Sequence, residues 1–585
     1  MASAEPLRDS RSTLPPGAPA AAVEASGPVA LHVRLGTAAL VLLPAALTVY
    51  LSFHAGGFFP ATPALVALLL GQVLLVRTLT AEHPVAGSTR ALAVATTALA
   101  LYAAWGLASA LWSDALGRAL VEFDRVLMYL LVLLLFGSMR WTAAQARWMV
   151  RAFAAGLVVV CAAALISRVL PDVLHTSPDF AKDRLSYPLT YWNALGFLAA
   201  LAVLLCASLT SDEREAPVIR VLAAAALPVA ATTLYFTLSR GGIAACLLGL
   251  VVLVAVTRPR GLLTGALAVA GPMAVALVSA YHADLLVSSD PTAAAAVVQG
   301  HHVALVVGLA ALAAGAIRLL LCPLDTRLAR ATLPAPSRRA GAGLAAGAVA
   351  VLVVAGIAAG LPGTVAQGYR DFVGHDAVGE GENVRGRLTD PGNAGRVNHW
   401  RVALRAMEDA PVTGSGLGTF EIEWARRRPE TGSVVNAHSL YLETLGELGL
   451  VGGLLLGVAL ATMLLAFARR TRGPDRRLYG TLLAAAVAWA FHAGVDWDWQ
   501  MPATTLWLFA FGGVVLSARA AGEPVRFGDR WRLPAAAGWL ALLVTPLLVL
   551  TSQSRVHAAV DHFGAGDCPA ATKDALSSIR WLNVR

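Results

Sequence analysis

The chain has 585 residues, 57% of them hydrophobic and only 14% charged, with a mean hydropathy of +0.66 and a formal net charge of +9. These proportions exclude an ordinary water-soluble globular protein and an intrinsically disordered one. They leave a chain that crosses a lipid bilayer repeatedly, in which the surplus of arginine must be explained.

Residues 1–30 are rich in Pro, Ala and Ser and lack an early apolar core followed by a cleavage site, so a disordered cytoplasmic tail is expected rather than a signal peptide. Apolar runs long enough for a helical span, which takes about 20 residues, then follow near 33–53, 60–78, 91–112, 121–137, 149–170, 191–210, 218–237, 241–257, 262–281, 300–321 and 342–362. Four more lie near 447–468, 479–494, 503–519 and 534–551, giving about fifteen, with 121–137, 241–257 and 479–494 the shortest. The runs do not alternate with period two, which excludes a barrel. The expected fold is an all-α polytopic membrane protein of twelve to fifteen transmembrane helices. Its N-terminal set covers 31–362 and its C-terminal set 447–552, with a large outer-face loop, 363–446, between them.

Orientation follows from the distribution of arginine over short loops. With a cytoplasmic N-terminus, the inner loops carry Arg77 and Arg90, Arg140, Arg147 and Arg151, Arg214 and Arg220, Arg258 and Arg260, then Arg327, Arg330, Arg338 and Arg339. The same holds for Arg469, Arg470, Arg472, Arg476 and Arg477, and for Arg519, Arg526, Arg530 and Arg532. The opposite loops at 54–59, 282–299 and 495–502 have no Lys or Arg. The positive charge is therefore anchoring charge, not a nucleic-acid surface, and the C-terminus is expected outside a multi-pass cell-membrane protein.

This topology gathers four polar features on the outer face. The first is the 171–193 loop, with Tyr187-Pro188 and Trp192-Asn193. Next comes Ser239-Arg240-Gly241-Gly242, where an arginine at a helix N-terminus followed by two glycines suits phosphate oxygens better than simple snorkelling into headgroups. In the third, 363–446, residues 395–409 scan as an amphipathic helix with Val397, Trp400, Leu404 and Met407 on one face. Arg401, Arg405 and Glu408 read as its solvated face. Arg396 falls beside Trp400 on the packed side, where it needs either an anionic ligand or a neighbouring carboxylate. Pro411 and Gly414-Ser415-Gly416-Leu417-Gly418 end that helix. His438 opens the next one on the face of Tyr441 and Leu445, with Glu443 and Glu447 pointing away. A helix N-terminus favours a neutral ring, available as a base, although a structural histidine is the equal alternative. The fourth feature is His492 with Asp496-Trp497-Asp498-Trp499-Gln500, which reads as an interfacial belt, a sugar platform or, least well, a metal site, since one His and two Asp specify no ion. His301-His302 reads as structural.

Cys161, Cys206 and Cys246 fall in spans, Cys322 at an inner end and only Cys568 outside, so neither a disulfide framework nor a cysteine metal site is expected. Residues 553–585 read as an extracytoplasmic helical hairpin, 555–563 and 569–581. It resembles the start of a TPR-type array, and a single such unit cannot bury its own core.

These residues together resemble the O-antigen ligase and polymerase family of bacterial membrane proteins, in its actinobacterial form. The match runs through Ser239-Arg240-Gly241-Gly242, Arg396 with Trp400, Gly414-x-Gly416-x-Gly418-x-Phe420, Asn436-x-His438-Ser439-x-Tyr441, and Glu447-x-Gly449-Leu450-x-Gly452. A His492, Asp496–Trp499, Met501-Pro502 patch adds to it. The resemblance implies a GT-C-like membrane glycosyltransferase working without a cofactor or metal. It would move a glycan from undecaprenyl diphosphate to an acceptor hydroxyl on a glycan, lipid or protein at the outer face. By the same resemblance Arg240 and Arg396 bind the donor diphosphate and His438 is catalytic. Tyr187, Asn193, Trp400, His492 and Asp496 are candidates for substrate binding. The chain departs from the commoner family pattern in having Ser439 where Asn is usual, and about three extra spans. A polymerase joining lipid-linked repeat units is the alternative. A lipid-linked glycan flippase, which would need broken helices and ionisable residues at midplane, is a distant one.

Overall fold

The structure is a computed structural model describing residues 28–176, 183–288, 290–330, 361–374, 384–388, 390, 392–518 and 527–582. Every element among the described residues is helical. Ten helices come first: α1 Pro28–Ser52, α2 Ala61–Thr80, α3 Arg90–Ala108, α4 Leu116–Gly137, α5 Ala143–Val169, α6 Trp192–Ser211, α7 Pro217–Phe236, α8 Arg240–Thr257, α9 Leu262–Tyr281 and α10 Ala294–Arg330. The large loop holds α11 Leu361–Gly374, α12 Arg396–Asp409 and α13 Phe420–Arg427. The C-terminal set is α14 Leu440–Arg470, α15 Arg476–Ala493, α16 Pro502–Leu516, α17 Arg532–Leu542, α18 Val544–Gly564 and α19 Cys568–Trp581.

Fourteen of the fifteen expected spans coincide with a helix or, for 534–551, with the pair α17 and α18. The fifteenth, 342–362, lies outside the described residues for all but its last two positions, as do the tail 1–27 and Arg338 and Arg339. Among the described residues eleven helices are long and apolar enough to cross a bilayer, so the count of fifteen is not reached on that criterion. Helix α4 carries Arg118, Glu122, Asp124 and Arg125 in its first three turns, and α16 is too short. The protein is a multi-pass membrane protein.

Two helices form the centre. All fifteen residues of α16 are buried, and α6 is buried along nearly its whole length. Both are apolar around their full circumference, the pattern of a helix enclosed by other helices. At about 1.5 Å per residue α16 is only about 22 Å long. It still joins the two ends of the bundle, because protein rather than lipid surrounds it.

Contacts between loops sort them into two sets. At one end, the Phe58 carbonyl accepts from Arg125, Ser109 Oγ accepts from the Leu417 N–H at 2.8 Å, the Leu286 carbonyl accepts from Arg168 at 2.8 Å, and Arg240 holds the 390–392 segment. At the other, Gly87 N–H donates to Ser138 O, Arg147 pairs with Asp475, Arg151 with Glu215, and Arg532 reaches the Ala81 carbonyl. The second set is the arginine-rich one. The chain stands at the arginine-rich end at Asp325, paired with Arg220 and Arg318, and at the opposite end at Phe372, whose carbonyl accepts from Asn393. With the arginine-rich end cytoplasmic, a reporter fused after residue 585 is expected to read extracytoplasmic and one after residue 340 cytoplasmic. The same side for both would overturn the orientation.

The C-terminal hairpin is not a separate unit. Its first helix is the continuation of α18, and α19 folds back along it with Ser552 Oγ on the Ser578 carbonyl at 3.0 Å. Leu582 then packs with Val549, Ala64 and Leu120. The apolar face that one hairpin cannot bury alone is partly covered by the membrane domain.

Candidate functional site

The non-arginine end is organised by one kinked helix. At Gly449 (φ 62, ψ −162) α14 leaves helical geometry, which a residue with a Cβ would resist. The backbone groups freed there are taken up by the glycine turn: Leu450 N–H donates to Pro411 O at 2.8 Å, Ser415 N–H to Gly446 O at 3.0 Å, and Gly416 N–H to Glu447 O at 2.7 Å. Gly414, Gly416 and Gly418 all have positive φ, and a Cβ on Gly414 would lie 2.3 Å from the Glu447 carbonyl carbon. Glu443 and Glu447 do point away from His438, but inward rather than to solvent. Glu447 accepts from Gly418 N–H and Phe420 N–H at 2.9 Å each, and Glu443 from Ala437 N–H at 2.7 Å. Both carboxylates splint the polar loop onto α14.

His438 sits at the end of this scaffold with φ 53, a costly conformation for a residue with a Cβ. Its flanking backbone is held on both sides, by Ala437 N–H on Glu443 and by Trp400 Nε1 donating to the His438 carbonyl at 3.4 Å. The ring Nδ1 lies 3.1 Å from the Asn436 carbonyl. Since a carbonyl only accepts, Nδ1 carries the proton in the neutral ring and Nε2 keeps the free lone pair. Burial first, and then the Arg396 guanidinium, lower the His438 pKa to about 4. The ring is neutral as expected, though burial and a cation cause it rather than the helix end. Ser439, the residue that departs from the commoner pattern, is the N-cap of α14, accepting from Leu442 N–H at 3.5 Å.

Helix α12 forms where expected, with a different face buried. Asn398, His399, Val402, Ala403 and Ala406 are buried, whereas Leu404 is 40% exposed and Val397, Trp400 and Met407 are half-buried. The reason is close packing: α12 lies on α14 through Ala403 and Gly446, where an added Cβ would come within 2.8 Å of the Ala403 carbonyl. Small residues, not the largest ones, set the contact face. This brings in His399, which the amphipathic pattern did not single out. Its ring is 5.0 Å from that of His438 and edge-on to Trp424 at 4.8 Å, and burial, then His438 and Arg396, lower its pKa to about 3. The three-residue spacing from Arg396 was the only signal for it.

Of the two partners open to Arg396, the carboxylate is present. Arg396 Nη2 is 3.0 Å from Asp496 Oδ2, its Nε donates to the Val495 carbonyl at 2.8 Å, and Nη1 makes only a long 3.5 Å contact with Asn393 O. Asp496 also accepts from the Tyr191 hydroxyl at 2.7 Å and from Asn193 Nδ2 at 2.6 Å. Burial alone would raise the Asp496 pKa, but the Arg396 guanidinium, the two neighbouring histidines and the Tyr191 hydroxyl hold it below the ordinary carboxylate range. Burial followed by that carboxylate pushes the Tyr191 hydroxyl well above its usual value, so it remains a donor. Asp496 and Asn193 are thus buried keystones of the site wall.

Arg184 extends the wall. It spans the Thr237 and Leu238 carbonyls and the Asn193 side chain, and stacks on Trp192 at 4.4 Å. His492 is buried too, beside Asp498 at 3.2 Å and stacked on Phe197, with a Cβ on Gly241 predicted to fall 3.3 Å from its Nε2. It pairs with Asp498 rather than Asp496, and among the described residues no cluster of His, Cys, Asp and Glu could hold a metal ion. Tyr187 packs edge-on to Phe53 at 6.1 Å.

Arg240 opens α8 behind the Ser239 N-cap and donates to the carbonyls of Asp390 and, at 2.8 Å, Gly392. One residue on, Asn393 O accepts the Arg396 backbone N–H at 3.2 Å. The two arginines named from sequence therefore flank one short segment, 390–396, although 155 positions separate them.

No curated protein matches the chain. Residues 292–457 match the family model described as O-antigen ligase. The matched segment includes Arg396, Trp400 and His438, while Arg240, Asn193, His492 and Asp496 are brought to it by the fold. The chain is thus a multi-pass membrane protein with an O-antigen ligase-like segment, and that segment supports an activity of the O-antigen ligase or polymerase type in general.

Proposed function

We propose that the protein transfers a glycan from an undecaprenyl-diphosphate carrier to an acceptor hydroxyl at the extracytoplasmic face of the cell membrane, as a ligase. The observation that carries this reading is the state of His438. Its ring is neutral, Nδ1–H is committed to the Asn436 carbonyl, Nε2 is free to accept a proton, and a guanidinium stands beside it.

In the reaction the acceptor hydroxyl gives its proton to His438 Nε2 while its oxygen attacks the anomeric carbon of the donor sugar. The bond from that carbon to the diphosphate oxygen breaks, and its electron pair leaves on the lipid diphosphate. Charge appears on the diphosphate, and fixed guanidiniums are the groups that stabilise it. Arg396 Nη1, with its one long contact, and Arg240 at the N-terminus of α8 are the groups assigned to that task.

Arg240→Lys tests the assignment. Lysine keeps the charge but loses the planar fork, so turnover should fall by about 10–100-fold, the equivalent of one charge-assisted hydrogen bond of about 1.5–3 kcal/mol. Normal transfer at equal membrane abundance would remove Arg240 from donor binding. A deletion strain should accumulate finished lipid-linked glycan. Accumulation of single lipid-linked repeats would instead identify the polymerase.

A further inference from the structure

On the far side of the Asn436–His438 turn lies an open cavity of about 880 Å³, between the first turns of α4, the Phe58–Pro60 loop and the loop carrying Gly418 and Val435. Its volume falls in the range of ligand pockets, about 300–1,000 Å³. None of the residues assigned to the diphosphate or to proton transfer lines it. The geometry points to a second binding site here, for a hydroxyl-rich saccharide without acidic groups. This inference rests on the glycan-transfer reading above, since it places one of the two sugars.

The floor of the cavity is an unusual ion pair. Arg125, 2% exposed, pairs through Nη1 with Glu122 and through Nη2 with the Phe58 carbonyl at 3.4 Å. Its Nε has no partner, nor has Glu122 Oε2. Both belong to a helix of the membrane domain, and ionisable groups there are costly unless they bind something. The part of the pair that reaches the cavity is the Glu122 side chain, 13% exposed. With Ser113, Asn436 and Gln500 in the same lining it offers acceptors and donors together. These suit a hydroxyl, a group that does both, better than a phosphate oxygen, which only accepts.

The charge of the lining agrees. Asp114, Glu122 and Glu421 supply three carboxylates against two guanidiniums, Arg118 and Arg125, while the buried Glu443 and Glu447 add hydrogen-bonding oxygens rather than charge. An anionic glycan or a diphosphate is disfavoured here and favoured on the Arg240 and Arg396 side. The two sites share the turn between them. Asn436 Nδ2 donates to Gln500 Oε1, and Gln500 Nε2 to Glu443 Oε1, each at 2.7 Å, and Glu443 also takes the Ala437 N–H. A saccharide held by the cavity would thus rest against the backbone that carries the base.

The test is calorimetric titration of the full-length protein in lipid nanodiscs, with chitotriose as the probe and trigalacturonate as its acidic counterpart. Chitotriose should bind, and Glu122→Gln, which removes the charge and turns one of the two acceptor oxygens into an amide donor, should weaken it by about ten-fold or more, as expected for a lost hydrogen bond to a charged group. Val435→Trp, at a rim position 51% exposed and so tolerant of replacement, should do the same by filling the space. Trigalacturonate should bind more weakly than chitotriose. No chitotriose binding, binding indifferent to Val435→Trp, or equal binding of trigalacturonate would each overturn the proposal. The Arg240→Lys transfer assay is independent of this titration, so failure of the diphosphate role and failure of the cavity can be told apart.

Discussion

Replacing His438 by alanine is expected to leave a folded, membrane-inserted protein whose glycan transfer is slower by about 10²–10⁴, the range for loss of one positioned acid or base. The fold should survive because what holds the turn is backbone: Ala437 N–H on Glu443, the His438 carbonyl on Trp400, and the Ser439 cap. None of these uses the imidazole. The pH profile separates this role from a structural one. With the His438 pKa lowered to about 4, wild-type activity should be flat through neutrality and fall only as the ring protonates near that value, because the protonated ring cannot accept the acceptor proton. The residual activity of the alanine variant should lack this acid limb. Full activity at full abundance, or an acid limb that persists without the imidazole, would take His438 out of the mechanism.

The largest loss of stability is expected at Asp496. Its side chain is 3% exposed and gathers three partners from two other parts of the chain, Arg396 from one and the Tyr191 hydroxyl and Asn193 amide from the other. Asp496→Ala strands a guanidinium and two polar donors at once, and breaking a buried pair in this way costs about 3–5 kcal/mol. Asp496→Asn keeps an acceptor for Tyr191 and should recover part of the loss, while leaving Arg396 without its counter-charge. Because the Asp496 pKa is depressed, its contribution is fully present above the unfolded carboxylate value and is lost as pH falls through the lower folded value. Thermal unfolding in detergent, followed beside membrane abundance, reads both effects. An Asp496→Ala protein melting with the wild type would show that the Arg396 contact contributes nothing to the fold.

The sequence was most informative where one periodicity and one charge rule suffice. Long apolar runs give helices whatever surrounds them, and fourteen expected spans meet helices because the bilayer leaves the backbone few other ways to satisfy its hydrogen bonds. The grouping of polar loops followed from arginine alone. Arg240 and Arg396 stand out because an arginine at a helix end away from the arginine-rich loops, or on a packed face, is anomalous in itself.

Burial inside the polar loop was far less legible. The contact face of α12 was misplaced because hydrophobicity suggested Trp400 and Leu404, whereas helix approach is governed by the small residues Ala403 and Gly446. Glu443 and Glu447 gave no sign of facing inward, since a carboxylate looks the same in sequence whether water or a set of backbone N–H groups receives it. His399 and Arg184 were hidden for a similar reason.

By itself, then, the sequence determined the class of protein, the course of most of its helices and the residue types on which the proposed chemistry draws. These depend on local apolar length, on charge counted loop by loop and on helix-end signals, all of which act within a few turns of chain. Only the tertiary structure decided which carboxylate pairs with Arg396, which nitrogen of His438 keeps its lone pair, and that Glu122 and Arg125 floor a cavity behind the same turn. Each of those depends on groups brought together from distant segments, and the energy of a buried charge is set by such neighbours rather than by its place in the chain.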